Sequence, residues 1–477
     1  MYKKREHIHF MGIGGIGMSG IAEILKLRGY TVSGCDAGQG GKTLDHLAHI
    51  GCIIYHGHDV AHVHNADVLV YSSAVKRSDV EVQAALAKSI PVIPRALMLG
   101  ELMRTKYSVA VSGAHGKTTT TSLISHIMIE AERMPTVVVG GVLKNIANNA
   151  QIGNGEIFIA EADESDRSLL YLTPTMAVVT NIDAEHLDVY RDIEDIKETF
   201  KMFLARLPFY GKACVCIDDE HVRAILPLSH VPTVRYGLGD DADLQGCNVV
   251  LEPTQSTFDV YRNTLKPGTL ERVKQWMGSI KLSIPGEHNV RNALAAICIA
   301  LEFEVPFETI AQALASFKGV ERRFEYKGMC QGTEIFDDYG HHPTEIRTTL
   351  RVAQKRAKNN LHVIFQPHRF SRTQKLWDDF VQTFAAVPAD EYTIKTLLIT
   401  DIYPASEVPI DGITAERLVA AIQAVNPGLA VQYIPSYQGL ADVARQALQD
   451  GDLLLTIGAG KVNVVAEALA GTAPRKG

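Results

Sequence analysis

The stretch YSVAVSGAHGKTTTT constrains the fold most, because an apolar strand runs into a glycine loop and then into a helix. The order strand, loop, helix is typical of loops whose backbone N–H groups surround phosphates. The common G-x-x-x-x-G-K-[ST] pattern is not met, since only two residues separate Gly113 from Gly116. We interpret the stretch as a shorter nucleotide loop, in which Lys117 neutralises phosphate and Thr118 or Thr119 reaches a magnesium ion.

A second glycine loop lies near the N-terminus, in HIHFMGIGGIGMSG. Gly12, Gly14 and Gly17 fit G-x-G-x-x-G, a pattern that brings backbone N–H groups close to a pyrophosphate at a helix N-terminus. Asp36 ends the next strand, where dinucleotide-binding enzymes hold a ribose. The pattern indicates nucleotide binding without identifying the nucleotide, and a tight turn without a ligand stays open.

The order of strand-like and helical runs predicts a three-domain α/β protein. The 477 residues agree with about three domains at roughly 150 residues each. We expect a Rossmann-like domain over residues 1–107 and a central P-loop ATPase-like domain with a mixed sheet over 108–320. A second Rossmann-like domain is expected over 321–477, with the domain junction in the charged, glycine-rich run FKGVERRFEYKG.

Charge and hydropathy exclude several classes of protein. The net charge of −7 is spread along the chain, which argues against a general nucleic-acid binder. No apolar run approaches the roughly 20 residues of a membrane-spanning helix, and no secretory signal is visible. Seven scattered cysteines suggest a reducing compartment. We therefore expect a cytoplasmic protein without nucleic-acid or membrane partners.

Acidic residues follow the strand after the short loop, in EADESD. The carboxyl ends of parallel strands meet at one edge of a sheet, so a carboxylate there is placed to bind magnesium. We expect Glu161, which ends the strand, to be that ligand, and most of Asp163, Glu164 and Asp166 to cap turns. His186, in TNIDAEH, ends the following strand.

Four histidines occur together in HGHDVAHVHN, at positions 56, 58, 62 and 64. Their spacing matches no common pattern of metal ligands, and no nearby cysteine or pair of carboxylates completes a site. We interpret the segment as a polar connector.

Two polar loops follow strands of the third domain. DDYGHHP contains Asp338, Tyr339 and His341, and HRFSR contains Arg369 and Arg372. Two such loops at the same edge of a domain could supply cations and hydrogen bonds to a carboxylate or phosphate. From spacing alone, solvated loops explain them equally well.

Taken in order, eight segments resemble the motifs of the Mur ligase family of peptidoglycan synthesis: GIGGIGMSG, GAHGKTTTT, EADESD, TNIDAEH, GEHNVRNALAA, ERRFE, DDYGHHPTE and FQPHRFSRT. The resemblance covers almost the whole chain and is strongest to the branch that adds alanine. It implies ATP-dependent ligation of L-alanine to the lactyl carboxylate of UDP-N-acetylmuramate through an acyl phosphate. The implied cofactors are ATP and Mg²⁺, and we expect a monomer or a weak homodimer.

The resemblance also implies roles for individual residues. Those implied to bind ATP are Gly113, Ala114, His115, Gly116, Lys117, Thr118 and Thr119, with His288, Asn289 and Asn292 on the adenine side and Arg322 or Arg323 at a phosphate. The implied magnesium ligands are Thr118, Glu161 and His186. The implied substrate contacts are Gly14, Gly15, Ile16, Gly17, Asp36, Ser72, Ser73, Tyr339, Arg369 and Arg372. The implied catalytic residues are Lys117, His186, Asp338 and His341.

Three other functions stay open at this point. A related ligase of wall recycling attaches a preformed tripeptide to UDP-N-acetylmuramate and shares most of these motifs. An NAD-dependent oxidoreductase would use the first glycine loop but leaves GAHGKTTTT and HNVRN unexplained. A nucleotide-gated binding protein would bind ATP without catalysing a reaction.

Overall fold

The computed structural model describes most of the chain, namely residues 6–38, 40–72, 74–143, 148–187, 189–228, 230–265, 272–386, 391–405 and 407–471. Two of the predicted substrate contacts, Ser73 and the side chain of Ile16, lie outside the described residues. The chain divides into two compact units, the first comprising residues 1–251 and 255–318 and the second comprising 252–254 and 319–477.

The first unit opens with a parallel sheet whose strands are β1 (His7–Met11), β2 (Thr31–Asp36), β3 (Ile53–His56), β4 (Val68–Tyr71) and β5 (Val92–Pro94). Between them lie α1 (Ile16–Leu27), α2 (Lys42–His49), a 3-10 helix (Val60–Val63), α3 (Val80–Ala87) and α4 (Arg95–Met103). The strand order is β3-β2-β1-β4-β5. The order reverses at β1, and the first glycine loop leaves the sheet there, where ligands bind in open α/β sheets.

The same unit contains a larger mixed sheet. Its strands are β6 (Tyr107–Ser112), β7 (Thr136–Leu143), β8 (Asn148–Gln151), β9 (Ile157–Glu161), β10 (Met176–Val179), β11 (Lys212–Cys216), β12 (Thr233–Gly237), β13 (Leu244–Leu251), β14 (Ser256–Leu265) and β15 (Arg272–Leu282). Its helices are α5 (Lys117–Glu130), a 3-10 helix (Ser168–Tyr171), α6 (Ile193–Leu204), α7 (Glu220–Ala224), α8 (Glu287–Glu302) and α9 (Phe307–Ser316). The strand order is β15-β14-β13-β12-β11-β10-β6-β9-β7-β8.

Three adjacent strands of this sheet position the candidate site. β6 pairs in parallel with β9 on one side and β10 on the other, with Val111 opposite Glu161 and Ser112 opposite Val179. The short apolar runs of these strands are buried, as expected for parallel strands covered on both faces. The loops that follow the three strands therefore emerge side by side at one edge of the sheet.

The second unit contains a third sheet, formed by β16 (Glu325–Cys330), β17 (Thr333–Asp338), β18 (Leu361–Phe365), β19 (Ile394–Ile399), β20 (Ala430–Tyr433) and β21 (Leu453–Ile457). Its helices are α10 (Pro343–Arg356), α11 (Phe370–Lys375), α12 (Trp377–Ala385), α13 (Ala415–Val425), α14 (Tyr437–Ala447) and α15 (Asn463–Leu469). The strand order is β16-β17-β21-β18-β19-β20, and only β16 pairs in an antiparallel sense.

The three sheets confirm the predicted α/β class with a mixed central sheet. The boundaries after residues 107 and 320 stay predictions. All seven cysteines are free thiols. Within the described ranges, every helix is too short or too polar to traverse a bilayer.

Candidate active site

The short glycine loop has a conformation that requires glycine at two positions. Gly113 has a φ of 140° and Gly116 a φ of 82°, both in the left-handed region. A Cβ atom on Gly113 would collide with the hydroxyl of Thr180, and one on Gly116 would lie 2.6 Å from Oδ1 of Asn292. The loop therefore packs tightly between the end of β10 and the start of α8, and its backbone leads directly into α5.

The segment TNIDAEH holds this loop in place. The backbone N–H of His115 donates to Oδ1 of Asn181 at 2.8 Å. The carbonyl of His115 accepts hydrogen bonds from Thr180 Oγ1 at 2.7 Å and from Asn181 Nδ2 at 3.0 Å. Nε2 of His115 lies 3.0 Å from the carboxylate of Asp183. The two motifs that follow neighbouring strands thus form one structure, as the sequence predicted from their shared sheet edge.

Hydrogen bonds fix the side chain of Lys117 against the short glycine loop. Its ammonium group donates to the carbonyls of Gly113 at 2.6 Å and Ala114 at 3.0 Å, and to the carboxylate of Glu164 at 2.9 Å. Burial alone would lower the pKa of Lys117, but the carboxylates of Glu164 and Asp163 raise it above its usual value. Lys117 is therefore a permanent cation held against the glycine loop.

Beside Lys117 lies a group of side chains that suits a divalent cation. Glu164, Glu185 and His186 each offer one ligand atom, and these atoms lie within 4.8 Å of one another. Nε2 of His186 is 3.6 Å from Oε1 of Glu164 and 3.5 Å from Oε2 of Glu185. Magnesium binds through one or two protein carboxylates together with phosphate oxygens and water. The donor set beside Lys117 therefore fits a magnesium ion.

Glu164 is the carboxylate that sequence reasoning missed. Asp163 and Asp166 cap turns as expected, since they accept hydrogen bonds from the backbone N–H groups of Ser165 at 3.0 Å and Ser168 at 2.9 Å. Glu164 belongs to the same acidic group, most of which was expected to cap turns, but it is buried against Lys117. Nothing local in EADESD distinguishes it, because its partner lies 47 residues away. The assignment of Glu161 to magnesium stays a prediction.

The motif HNVRN reaches the loop through its last residue. Asn292 is buried beside Gly116, and its Nδ2 donates to Oδ1 of Asn289 at 3.3 Å. Asn289 in turn donates to the carbonyl of Pro285 at 2.7 Å. His288 is exposed on the first turn of α8. At the start of α5, Thr118 is half-buried and Thr119 is buried.

Asp36 stabilises the first glycine loop through hydrogen bonds. Its two carboxylate oxygens accept hydrogen bonds from the backbone N–H groups of Gly14 and Gly38, each at 2.9 Å. Gly15 precedes α1, and Ser72 lies against Gly12, where an added Cβ would come within 2.9 Å of its hydroxyl. This arrangement stabilises the turn that presents the N-terminus of α1.

Arg95 is a second residue that sequence reasoning missed. It is the first residue of α4, and a Cβ atom on Gly17 would collide with its guanidinium group. The same group lies 3.9 Å from the carboxylate of Asp163. Arg95 thus places a cation between the first glycine loop and the loop after β9, and the run IPRALM carries no motif that would have identified it.

In the second unit, the two neighbouring arginines of ERRFE have different environments. Arg322 donates to Asp337 at 2.9 Å and to the carbonyls of Gly460 at 3.0 Å and Gly458 at 2.6 Å. The guanidinium of Arg323 lies 5.5 Å from the ring centre of Tyr339 and 3.8 Å from a carboxylate oxygen of Glu345. Arg322 is therefore committed to the internal structure of the unit.

Asp338 also has internal partners. Its carboxylate accepts hydrogen bonds from the backbone N–H groups of Phe324 at 2.7 Å and Gly340 at 2.8 Å. Burial raises the pKa of Asp338 above its ordinary value. The residue ties the segment ERRFE to the loop DDYGHHP, which places Arg323 and Tyr339 next to each other.

The two polar loops of the second unit meet, as the sequence suggested. The rings of His341 and His368 are 5.6 Å apart, and the guanidinium of Arg372 lies 3.2 Å from Nδ1 of His368. Burial lowers the pKa of His341 to about 3 and that of His368 to about 4, so both rings are neutral near pH 7. Arg369 is exposed at the start of α11.

Comparison with known proteins identifies the family. Family models described as "Mur ligase family, catalytic domain", "Mur ligase middle domain" and "Mur ligase, glutamate ligase domain" match residues 7–107, 111–300 and 322–460. The chain belongs to the Mur ligase family. The resemblance inferred from the motifs is confirmed.

Relatives within the Mur ligase family match nearly the whole chain. A UDP-N-acetylmuramate–L-alanine ligase from Syntrophus aciditrophicus (strain SB) is 46% identical over 469 residues, covering 98% of this chain and 94% of the relative. The fold is similar to that of a UDP-N-acetylmuramate-alanine ligase from Thermotoga maritima, with a TM-score of 0.76, 24% identity and 98% coverage of both chains. A murein peptide ligase from Psychrobacter arcticus has a TM-score of 0.68, again with 24% identity and 98% coverage. The two structures share the Mur ligase fold with this chain.

Proposed function

We propose that this protein catalyses ATP-dependent ligation of L-alanine to the lactyl carboxylate of UDP-N-acetylmuramate, in the synthesis of peptidoglycan precursors. The full-length similarity to a ligase of that name supports the substrate pair. The observation that carries the chemistry is the position of Lys117 between the glycine loop and Glu164, next to Glu185 and His186. The Lys117 ammonium group, the backbone N–H groups of the glycine loop and a set of metal ligands lie at one sheet edge, and this combination suits phosphoryl transfer.

In this reaction the lactyl carboxylate accepts the terminal phosphoryl group of ATP, and the amine of alanine then displaces phosphate from the acyl phosphate. Residues 113–119 would hold the phosphates through backbone N–H groups, and Lys117 would offset their charge. Glu164, Glu185 and His186 would hold magnesium, with Thr118 and Glu161 as the further ligands predicted from the motifs. The metal would supply charge compensation at the phosphates.

The first glycine loop would bind the UDP part of the substrate. Gly15 caps α1 without a side chain, so the helix N-terminus and its dipole face the loop. A pyrophosphate is favoured at such a terminus. Asp36 would act by fixing the turn, and Arg95 would add a positive charge beside it.

The second unit would contribute through Arg323, because Arg322 already donates to three internal acceptors. Asp338 would act as a positioning residue for the same reason. We assign Tyr339, His341, Arg369 and Arg372 to the substrate or the amino acid, in line with the motifs. The neutral state of His341 allows it to accept a hydrogen bond from an ammonium or hydroxyl group.

Phosphate release with ATP, Mg²⁺, UDP-N-acetylmuramate and L-alanine, each omitted in turn, tests the proposal. We expect release only when all four are present, with a product heavier by one alanine residue. Release that ignores alanine but requires the tripeptide would assign the protein to wall recycling. A change in nicotinamide absorbance would favour the oxidoreductase, and ATP binding without turnover would favour a binding protein.

A further inference from the structure

A compact group of metal-ligand side chains lies beneath the first glycine loop, apart from the candidate active site. We call it the His–Cys–Glu cluster and define it as His9, Cys35, His58, His62 and Glu81. These residues come from β1, β2, the loop after β3, the 3-10 helix and the first turn of α3. The histidines of HDVAHVHN, which the sequence led us to interpret as part of a polar connector, contact Cys35 and Glu81, which neighbouring elements bring there.

The ligand atoms of three members converge. Nε2 of His9 and Sγ of Cys35 lie 3.1 Å and 3.2 Å from the same oxygen of Glu81, and the three atoms lie within 4.8 Å of one another. Nδ1 of His58 lies 3.3 Å from Sγ of Cys35. In tetrahedral zinc sites, with Zn–N near 2.0 Å and Zn–S near 2.3 Å, neighbouring ligand atoms are about 3.3–3.6 Å apart. The atoms of His9, Cys35 and Glu81 lie close to that spacing, and His58, which contacts Cys35, would have to move toward them to complete it.

The charge balance of the cluster favours a cation. His9, Cys35 and Glu81 are fully buried. Among the described residues, the ion-pair partners of Glu81 are histidines, with no lysine or arginine. A divalent cation bound by one carboxylate, one thiolate and two neutral imidazoles would leave this buried site with no net charge.

The surrounding contacts also suit a metal site. Nδ1 of His9 is hydrogen-bonded to the hydroxyl of Ser33 at 2.8 Å, which fixes the ring with Nε2 toward Glu81. The second carboxylate oxygen of Glu81 is held by Nδ1 of His62 at 2.8 Å and by the backbone N–H of Asp59 at 3.0 Å. Metal-bound histidines and carboxylates are oriented by partners of this kind.

We propose that His9, Cys35, His58 and Glu81 bind a divalent transition-metal ion of the zinc class, with His62 holding the carboxylate in place. The Cys35 thiol would lose its proton to solvent on binding, because thiolate is the form that ligates metal. The carbonyl of Cys35 accepts hydrogen bonds from the backbone N–H groups of Gly12 at 2.8 Å and Ile13 at 3.1 Å. A metal ion here would therefore stabilise the glycine loop directly above it.

Cobalt titration of the full-length chain, with any affinity tag removed and excess Mg²⁺ present, tests the site. Thiolate bound to Co²⁺ gives a near-ultraviolet charge-transfer band, which oxygen ligands of a magnesium site do not give. We expect the band to saturate at one Co²⁺ per chain and to disappear when Zn²⁺ is added. Cys52→Ser is the matched control, because Cys52 is a buried thiol of the same region outside the cluster, and it should keep the band. Cys35→Ser should lose it.

Absence of the band in the wild-type chain, or its persistence in Cys35→Ser, would overturn the proposal. His58→Ala provides a second test that is less demanding on folding, because His58 is partly exposed. Loss of one ligand should weaken Co²⁺ binding by at least about tenfold, since even outer contacts contribute 10–100-fold. If that variant keeps both the Co²⁺ affinity and the melting temperature of the wild-type chain, His58 is not a ligand and the proposed set of four ligands is refuted.

Discussion

Replacing Glu164 by Gln tests the carboxylate that the structure places against the phosphate-loop lysine. The substitution keeps the shape of the side chain and removes its charge. At the observed 2.9 Å, and with an effective dielectric constant of 20, the attraction between the two charges is about 6 kcal/mol. The amide oxygen still accepts a hydrogen bond from the ammonium group, which retains roughly 1.5–3 kcal/mol. The substitution therefore removes about 3 kcal/mol of interaction energy, and this loss affects both the positioning of Lys117 and the binding of the metal ion.

A loss of that size corresponds to a fall of about 100-fold in kcat/KM for ATP. Phosphate release measured at several Mg²⁺ concentrations checks it, and the half-saturating Mg²⁺ concentration should rise by about tenfold if Glu164 is a metal ligand. Binding of UDP-N-acetylmuramate, measured by calorimetry, should not change, because Lys117 and His186, the side-chain partners that the structure records for Glu164, lie outside the first glycine loop. Asp166→Asn is the control, since Asp166 is exposed and caps only the turn at Ser168.

Glu161→Gln in the same assay separates the two candidate ligands. If Glu164→Gln keeps more than half of the wild-type kcat/KM and the wild-type Mg²⁺ requirement, the pairing with Lys117 has no catalytic role and the reasoning is refuted. If Glu161→Gln alone shows the loss, the prediction from the strand end was correct and Glu164 is only a structural partner.

Four further substitutions test other parts of the protein. Gly116→Ala forces a Cβ atom toward Asn292 in a left-handed conformation that costs about 1–2 kcal/mol, so KM for ATP should rise about tenfold or more; an unchanged KM would contradict the tight loop. Asp36→Ala removes the acceptor of the hydrogen bonds from Gly14 and Gly38 that stabilise the first loop. In initial-rate measurements, KM for the UDP sugar should therefore rise while KM for ATP stays constant. Arg322→Ala removes the arginine that pairs with the buried carboxylate of Asp337, so it should lower the unfolding free energy by about 3–5 kcal/mol. Arg323→Ala should keep the melting temperature and lower kcat. The opposite result for the two variants would exchange the roles of the two arginines.

Local sequence patterns predicted the fold well because its strands are short, apolar and punctuated by glycine. TVSGCD coincides with β2 (Thr31–Asp36), and YSVAVS with β6 (Tyr107–Ser112). Buried parallel strands have this continuous apolar character, and a glycine loop must follow where the chain turns tightly into a helix. Both signals depend on residues adjacent in sequence, so they can be detected without knowledge of the tertiary structure.

The partner of Lys117 could not be predicted in the same way. The rule that strand ends supply ligands favoured Glu161, which ends β9. The turn after the strand instead brings Glu164 to the lysine, and its neighbours Asp163 and Asp166 use their carboxylates to form that turn. Which of several acidic residues in a turn faces the site depends on the hydrogen bonds of the turn itself, and the spacing of the acidic residues does not encode them.

The His–Cys–Glu cluster shows a more general limit of searching for metal ligands by short spacing. Neighbouring strands of a parallel sheet are separated in sequence by a connecting helix, so ligands on them are far apart along the chain. His9 pairs in register with Ser33, and Cys35 lies two residues beyond Ser33 on the same strand. Because side chains alternate between the faces of a sheet, this offset of two puts His9 and Cys35 on one face. Residues at matching positions of neighbouring parallel strands, such as His9 and Cys35, can therefore share one face although they lie far apart in the sequence.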